Sequence, residues 1–338
     1  MSVHGWIILD KPVGLGSTQA VGAVKRNMRE AGYGKVKVGH GGTLDPLAEG
    51  VLPIALGEAT KLCGRMLDAS KIYDFTIRFG EQTDTLDAEG QVIATSEARP
   101  TLAQLEAVLP RFTGQIDQVP PAYSALKVDG KRAYDLARAG EEVELKVRAV
   151  TVYALSILPE RGRGTMHSMV GGQVPDGASL TGSGPPQVPL HRPSDGPPPR
   201  AGENLPEITL TAHVSKGTYI RSLARDIALA LGTVGHVTML RRVKAGPFTL
   251  AQAISLDKLN EIGKGARLED VILPLEAGLD DIPALDLSPE AAVAVRQGRV
   301  LTGMPQGDGL YWARAGEVPV ALVELEAGTA KVVRGFNL

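Results

Sequence analysis

Between residues 71 and 79 the chain reads KIYDFTIRF, in which Tyr73, Phe75, Ile77 and Phe79 alternate with Asp74, Thr76 and Arg78. A period of two puts the apolar side chains on one face of an extended segment, so the pattern predicts a half-buried strand. After the turn-rich EQTDTLDAEG, residues 91–95 read as its hairpin partner. Residues 142–157 and 207–214 also alternate for most of their length and predict more strands of an antiparallel sheet. Elsewhere the period lengthens. Val21, Val24 and Met28 fall on one face of a helix capped by Ser17 or Thr18 and running to about Glu30. Ile220, Leu223, Ile227 and Leu231 form the apolar stripe of another, capped by Thr218, with Arg221 and Arg225 four apart on a shared face. Thr101 with Gln104 three residues on is a capping-box signature for a helix that ends near Pro110.

Two segments change character. Residues 159–206 are dominated by Gly, Pro and Ser and hold too few apolar residues to offset the entropy of ordering. They predict a disordered loop between two neighbouring strands, an insertion the sheet tolerates because closure entropy grows only logarithmically with length. From Pro274 onward, further prolines, the glycines of QGRVLTGMPQGDG and the short runs YWARA, VPVALVELE and AKVVRG predict a small β-barrel. The expected organisation is an α+β main domain over 1–273, built on a mixed, mainly antiparallel sheet with flanking helices, followed by a barrel domain over 274–338.

Composition narrows the class. With 43% hydrophobic and 22% charged residues the chain is that of an ordinary globular protein, and no apolar run approaches the roughly 18 residues of a membrane span. The amino terminus lacks the pattern of a signal peptide, and Cys63 stands alone, which together lead us to expect a cytoplasmic protein without disulfides. The net charge of −2 does not favour a nucleic-acid partner, but its distribution is uneven. Residues 25–37 hold five basic residues against Glu30, and residues 216–244 hold six against Asp226. Each segment is either a solvated helix face or a binding surface.

The densest local signal is GHGGTLDPLAEG at residues 39–50, four glycines around His40 and Asp45, running into VLPIAL. By local pattern Asp45-Pro46 reads as a helix start, Asp as N-cap and Pro at the first helical position. The glycines also leave room for another backbone or a ligand. The loop has neither the spacing of a P-loop nor that of a dinucleotide site. The six histidines, His4, His40, His167, His191, His213 and His236, are scattered without metal-ligand spacing, so no metal is expected. Asp84, Asp87 and Glu89 do not match an EF-hand and read as an acidic turn.

The run GHGGTLDPLAEGVLPIALGEATK resembles the catalytic motif of the TruB-like tRNA pseudouridine synthases. DKPVGLGS before it, and KIYDF, GEQTDTLDAEG, PPAYSALKVDGKRAY, SKGTYIRSLARD and HVTMLRR after it, resemble further segments of that family in the same order, covering most of the first 250 or so residues.

The resemblance implies the pseudouridine synthase fold with a PUA-like terminal module, and isomerisation of uridine to pseudouridine at position 55 in the T loop of tRNA. It makes Asp45 the nucleophile and Arg221 its cationic partner, which a buried carboxylate requires. It makes Tyr73 the aromatic that stacks on the extruded uracil, His40 the wedge that replaces the flipped base, and Tyr219 and Leu240 residues of the uracil pocket. No cofactor or metal is implied. The implied partner is the T-arm of tRNA, bound by a monomer that needs no obligatory protein partner and no membrane, with the basic segments at 25–37 and 216–244 as its contact surfaces. Two other readings stay open: a guide-RNA-dependent synthase subunit, and a non-enzymatic tRNA-binding or folding protein. The insertion at 159–206 has no counterpart in the family's short connection.

Overall fold

A computed structural model describes residues 3–124, 126–128, 130–140, 145–158, 204–264 and 267–338. The chain opens with β1 (Gly5–Lys11), α1 (Ser17–Glu30), β2 (Val38–His40) and β3 (Glu49–Leu56), then α2 (Cys63–Asp68), β4 (Lys71–Phe79), β5 (Glu81–Thr83), β6 (Val92–Thr95) and α3 (Leu102–Val108). Next come β7 (Gly114–Gln118), β8 (Lys127–Val128), β9 (Lys131–Arg132), α4 (Ala133–Arg138), β10 (Arg148–Ile157) and β11 (Glu207–Val214). The main body closes with α5 (Ile220–Ala230), β12 (Gly235–Ala245), β13 (Phe248–Thr249), β14 (Ile254–Ser255) and α6 (Leu256–Gly263). The C-terminal part holds β15 (Ala284–Asp286), α7 (Pro289–Arg296), β16 (Leu301–Thr302), β17 (Gly309–Ala315), β18 (Val318–Glu326) and β19 (Thr329–Gly335).

Among the described residues the main sheet has ten strands, in the order β14-β1-β3-β12-β4-β11-β10-β7, with β13 on β12 and β2 on β3. The β1–β14 and β3–β12 pairings are parallel and the others antiparallel, which is the mixed, mainly antiparallel α+β sheet the patterning predicts. The expected strands at 71–79 and 207–214 are β4 and β11, paired along their whole length. The strand expected from 142 begins at Arg148, and residues 141–144 lie outside the described residues. The strands on either side of the insertion, β10 and β11, are neighbours as expected. The predicted disorder of 159–206 falls almost wholly on 159–203, outside the described residues.

The main sheet is buried on both faces where the site stands. Leu52, Ile54 and Leu56 of β3 join the core that α1, α5 and α6 cover, whereas Val51 and Ala55 join a second cluster with Trp6, Ile8 and Met66. That is why VLPIAL shows no alternation: a strand covered on both sides reads as a continuous apolar run. Pro53 falls between the pairing of β3 with β12 at residues 49–50 and with β2 at residues 54–56, where a missing N–H costs the ladder nothing. The second cluster also contains Leu275, Leu279, Ile282, Leu322 and Phe336, and Trp6 Nε1 donates to Leu275 O at 3.0 Å, so C-terminal residues complete this side of the core.

Four expectations are corrected. Asp45 caps no helix, because β3 rather than a helix follows its loop. Residues 92–95 form β6, which pairs with β5 in a separate two-stranded ribbon, while β4 has β11 and β12 as neighbours. The N-cap of α5 is Tyr219, not Thr218, and α1 is capped by Gly16. The small β-barrel expected from Pro274 onward is borne out in part, as a half-barrel-like sheet in the order β15-β17-β18-β19-β16. The capping box of Thr101 and Gln104 is present, both reciprocal bonds formed.

Candidate active site

The loop between β2 and β3 is held on both sides of Asp45. Ser17 Oγ, in the first turn of α1, accepts from Leu44 N at 2.8 Å and donates to Leu44 O at 3.0 Å. Pro46 O accepts from Gly14 N at 2.8 Å and from Lys11 Nζ at 3.3 Å, and Lys11 also donates to Leu15 O at 2.7 Å. Arg242 of β12 donates from Nη1 to Thr43 O at 3.2 Å and from Nη2 to Gly42 O at 3.3 Å. The neighbours of Asp45 are thus pinned while its own side chain stays 42% exposed, which leaves the carboxylate open to a substrate.

Among the described residues the carboxylate has one cationic partner within ion-pair distance. Arg221 Nη2 lies 2.7 Å from Asp45 Oδ2 and donates to Tyr123 O at 2.9 Å. Its Nη1 donates to Thr85 O at 2.8 Å and to Asp87 Oδ2 at 3.0 Å, and the residue is 5% exposed. An arginine fork held in this way at both terminal nitrogens has little freedom to swing, so the Asp45 carboxylate meets a fixed charge. Asp87 is fixed in turn: its Oδ1 accepts from Thr85 Oγ1 at 2.5 Å and from Glu89 N at 3.1 Å. Between them Leu86 adopts φ +62, a left-handed conformation that costs a non-glycine residue energy, and its carbonyl is tied to Val237 N at 3.0 Å. The start of α5 is set by Gln118 of β7, whose amide accepts from Tyr219 N at 2.8 Å and donates to Tyr219 O at 3.1 Å.

The remaining sequence-predicted residues surround this pair to different degrees. Tyr73 on β4 is half-buried and stands between Ala212 and Arg242 in the register, hence on the face that carries the Arg242 guanidinium. Leu240 is buried opposite Phe75, inside the main core. His40 ends β2 opposite Ile54; its Nδ1 is buried without a partner among the described residues, and burial together with the Arg242 charge lowers its pKa. Burial raises the Tyr219 pKa, with the Asp45 charge adding to the rise. Burial pushes the Lys11 ammonium down to about 8 against the opposing pull of Asp45. Asp45 and Arg221 are in direct contact; Tyr219 and Lys11 lie within reach of the Asp45 charge.

Sequence reasoning missed Asp87, Gln118, Lys11 and Arg242. Asp87 lies 134 residues before Arg221 and Gln118 lies 101 before Tyr219, so no local pattern could join them. The two basic segments also differ. Lys25, Arg26, Arg29, Lys35 and Lys37 are exposed. In 216–244, by contrast, Arg221 and Arg242 are buried, Lys216 pairs with Asp68, Arg225 with Asp226, and Arg241 with both Asp10 and Glu49. Only Lys244 of that segment is neither buried nor ion-paired among the described residues, so its cations hold the site together more than they offer a surface.

Known proteins share this architecture. A structure of an H/ACA RNP bound to a substrate RNA containing 2′-deoxyuridine matches with a TM-score of 0.64 at 23% identity, over 99% of this chain and 85% of its own. An archaeal box H/ACA sRNP Nop10–Cbf5 complex matches with a TM-score of 0.62 at 24% identity, over 98% and 86%. At those identities the likeness is one of fold. The sequence relatives are much nearer. The tRNA pseudouridine synthase B of Novosphingobium aromaticivorans is 66% identical across 99% of this chain and 98% of its own length. That of Zymomonas mobilis is 51% identical across 99% and 97%, and that of Caulobacter vibrioides 42% across 100% and 97%. The family described as TruB family pseudouridylate synthase (N terminal domain) matches residues 29–170, and the tRNA pseudouridylate synthase B C-terminal domain matches residues 221–280. With the loop around Asp45, the arginine that faces it and these full-length relatives in agreement, the chain belongs to the TruB family of pseudouridylate synthases.

Proposed function

We propose that this chain is a tRNA pseudouridine synthase that isomerises a uridine of the T loop, at position 55, to pseudouridine without a guide RNA. The observation that carries the reading is the Asp45 carboxylate, 42% exposed, held 2.7 Å from a buried Arg221 whose two terminal nitrogens are fixed by Thr85, Asp87 and Tyr123. A carboxylate is a competent covalent catalyst, and an arginine already fixed by its own hydrogen bonds keeps it aligned without spending the substrate's binding energy on ordering it. Asp45 attacks C1′ or C6 of the flipped nucleotide. The N1–C1′ bond breaks, the uracil turns within the pocket, C5 bonds to C1′, the bond to Asp45 breaks to free the carboxylate, and the proton on C5 leaves to solvent while N1 takes one up.

In this reading Tyr73 stacks on the base, which is worth about 1–3 kcal/mol for an aromatic platform. His40, with its lowered pKa, enters the stack uncharged and offsets part of the few kcal/mol that flipping costs. Tyr219 and Leu240 line the uracil pocket. The exposed basic face at 25–37 contacts tRNA phosphates, and the C-terminal half-barrel, taken as a PUA-like module over 274–338, extends the RNA surface beyond the 1–273 catalytic domain. The protein acts as a monomer in the cytoplasm.

The test is release of tritium from an unmodified tRNA transcript labelled at uracil C5, with purified protein alone. Release without guide RNA or partner is expected. Failure unless a guide is added would favour the guide-dependent reading, and binding without release a non-enzymatic one.

A further inference from the structure

We propose that Arg242 is a positioning residue for the reaction: its guanidinium sets the path of residues 42–46 and so the place of the Asp45 carboxylate. The proposal rests on the reading of Asp45 as nucleophile.

Arg242 is 1% exposed, and its side-chain bonds all go to backbone carbonyls: Nε to Val51 O at 2.8 Å, Nη1 to Thr43 O at 3.2 Å and Nη2 to Gly42 O at 3.3 Å. The adjacent Arg241 has two carboxylates, Asp10 and Glu49, whereas Arg242 has none within ion-pair distance among the described residues. A buried cation without a counter-ion is a costly way to fill space, and an apolar side chain would serve stability better. What the guanidinium adds is geometry. Its planar fork fixes three carbonyls at once, two before Asp45 and one after it, and ties both ends of the loop to β12.

The anchor of that fork is itself fixed. β12 meets β3 at the Arg242–Gly50 bridge, where Gly50 has φ +100 and a Cβ would stand 2.3 Å from Arg242 O. Only glycine permits that approach. On its other side Arg242 is paired with Tyr73. One residue therefore stands in register with the strand of the stacking tyrosine and bonds directly to the loop of the nucleophile. A loop displaced by 1 Å can cost about a hundredfold in rate, so this linkage bears on turnover rather than on binding. The Arg242 charge also reaches His40 and Lys11, where it adds to the lowering that burial causes.

Arg242→Lys keeps the charge and removes the fork; Arg242→Met removes both. In folded Arg242→Lys, kcat for tritium release should fall about tenfold to a hundredfold while KM and tRNA affinity stay within about twofold. Amide hydrogen exchange should accelerate in residues 41–48 and not in α5. Arg242→Met should lose more kcat in the same direction, and if it does not fold, Arg242→Lys decides alone. Wild-type kcat with unchanged exchange in Arg242→Lys overturns the proposal, as does a raised KM with kcat intact. Absence of tritium release by the wild type would instead overturn the reading of Asp45, and the exchange measurement, which needs no turnover, tells the two failures apart.

Discussion

Asp87 and Arg221 form a buried ion pair, Oδ2 to Nη1 at 3.0 Å, with side chains 5% and 6% exposed. Removing one partner of such a pair leaves an uncompensated buried charge, which costs about 3–5 kcal/mol. Because Arg221 keeps Asp45 as a second carboxylate, Asp87→Asn should lie near the lower end, about 3 kcal/mol, and should slow turnover as Arg221 loosens. Urea unfolding of the variant checks this, and an unchanged midpoint would contradict it.

The close approach of β3 and β12 predicts a second effect. Gly50→Ala would place a methyl 2.3 Å from Arg242 O at a φ of +100, so either the strands part or the backbone strains. A loss of at least about 2 kcal/mol is expected. Thermal unfolding measures it, and a variant as stable as the wild type would show that the bridge yields without cost.

Acid should weaken the fold through His40. Its folded pKa lies below the 6.5 of an unperturbed histidine, so below pH 6.5 the unfolded chain binds more protons than the folded one. Stability is then full above 6.5 and falls as pH drops through the lowered value. His213, which burial also lowers, contributes with the same sign. Melting temperatures between pH 7 and 5 should fall less steeply in His40→Gln than in the wild type; parallel profiles would mean that His40 does not titrate in this window.

The capping box gives a smaller, local prediction. Thr101→Ala removes the acceptor for Gln104 N, at 3.3 Å, and should cost about 1 kcal/mol without affecting turnover. Denaturant unfolding reads the stability, and a loss of activity would show that α3 is coupled to the site.

What the sequence revealed depended on how local each cause was. The alternation of β4 and β11, the stripe of α1 and the reciprocal bonds of Thr101 and Gln104 arise within a few residues, and they were legible. The edges of elements set by distant residues were not. Thr218 looks like a cap by type, but the Gln118 amide, 101 residues away, performs the task at Tyr219. Asp45-Pro46 looks like a helix start because nothing nearby shows that β3 is covered on both faces. At the site, family resemblance brought out Asp45, Tyr73, Arg221, His40, Tyr219 and Leu240, whereas Asp87 and Arg242 act through carbonyls and charges that only the folded chain brings together. Counting cations between 216 and 244 likewise overstated the basic surface, since most of them are buried or paired.

The central claim is that Asp45 supplies the nucleophile. Asp45→Asn keeps the shape of the side chain but not its nucleophilicity, so tritium release from C5-labelled tRNA should vanish while tRNA affinity stays within about twofold of the wild type. Measurable release by pure Asp45→Asn protein would contradict the account.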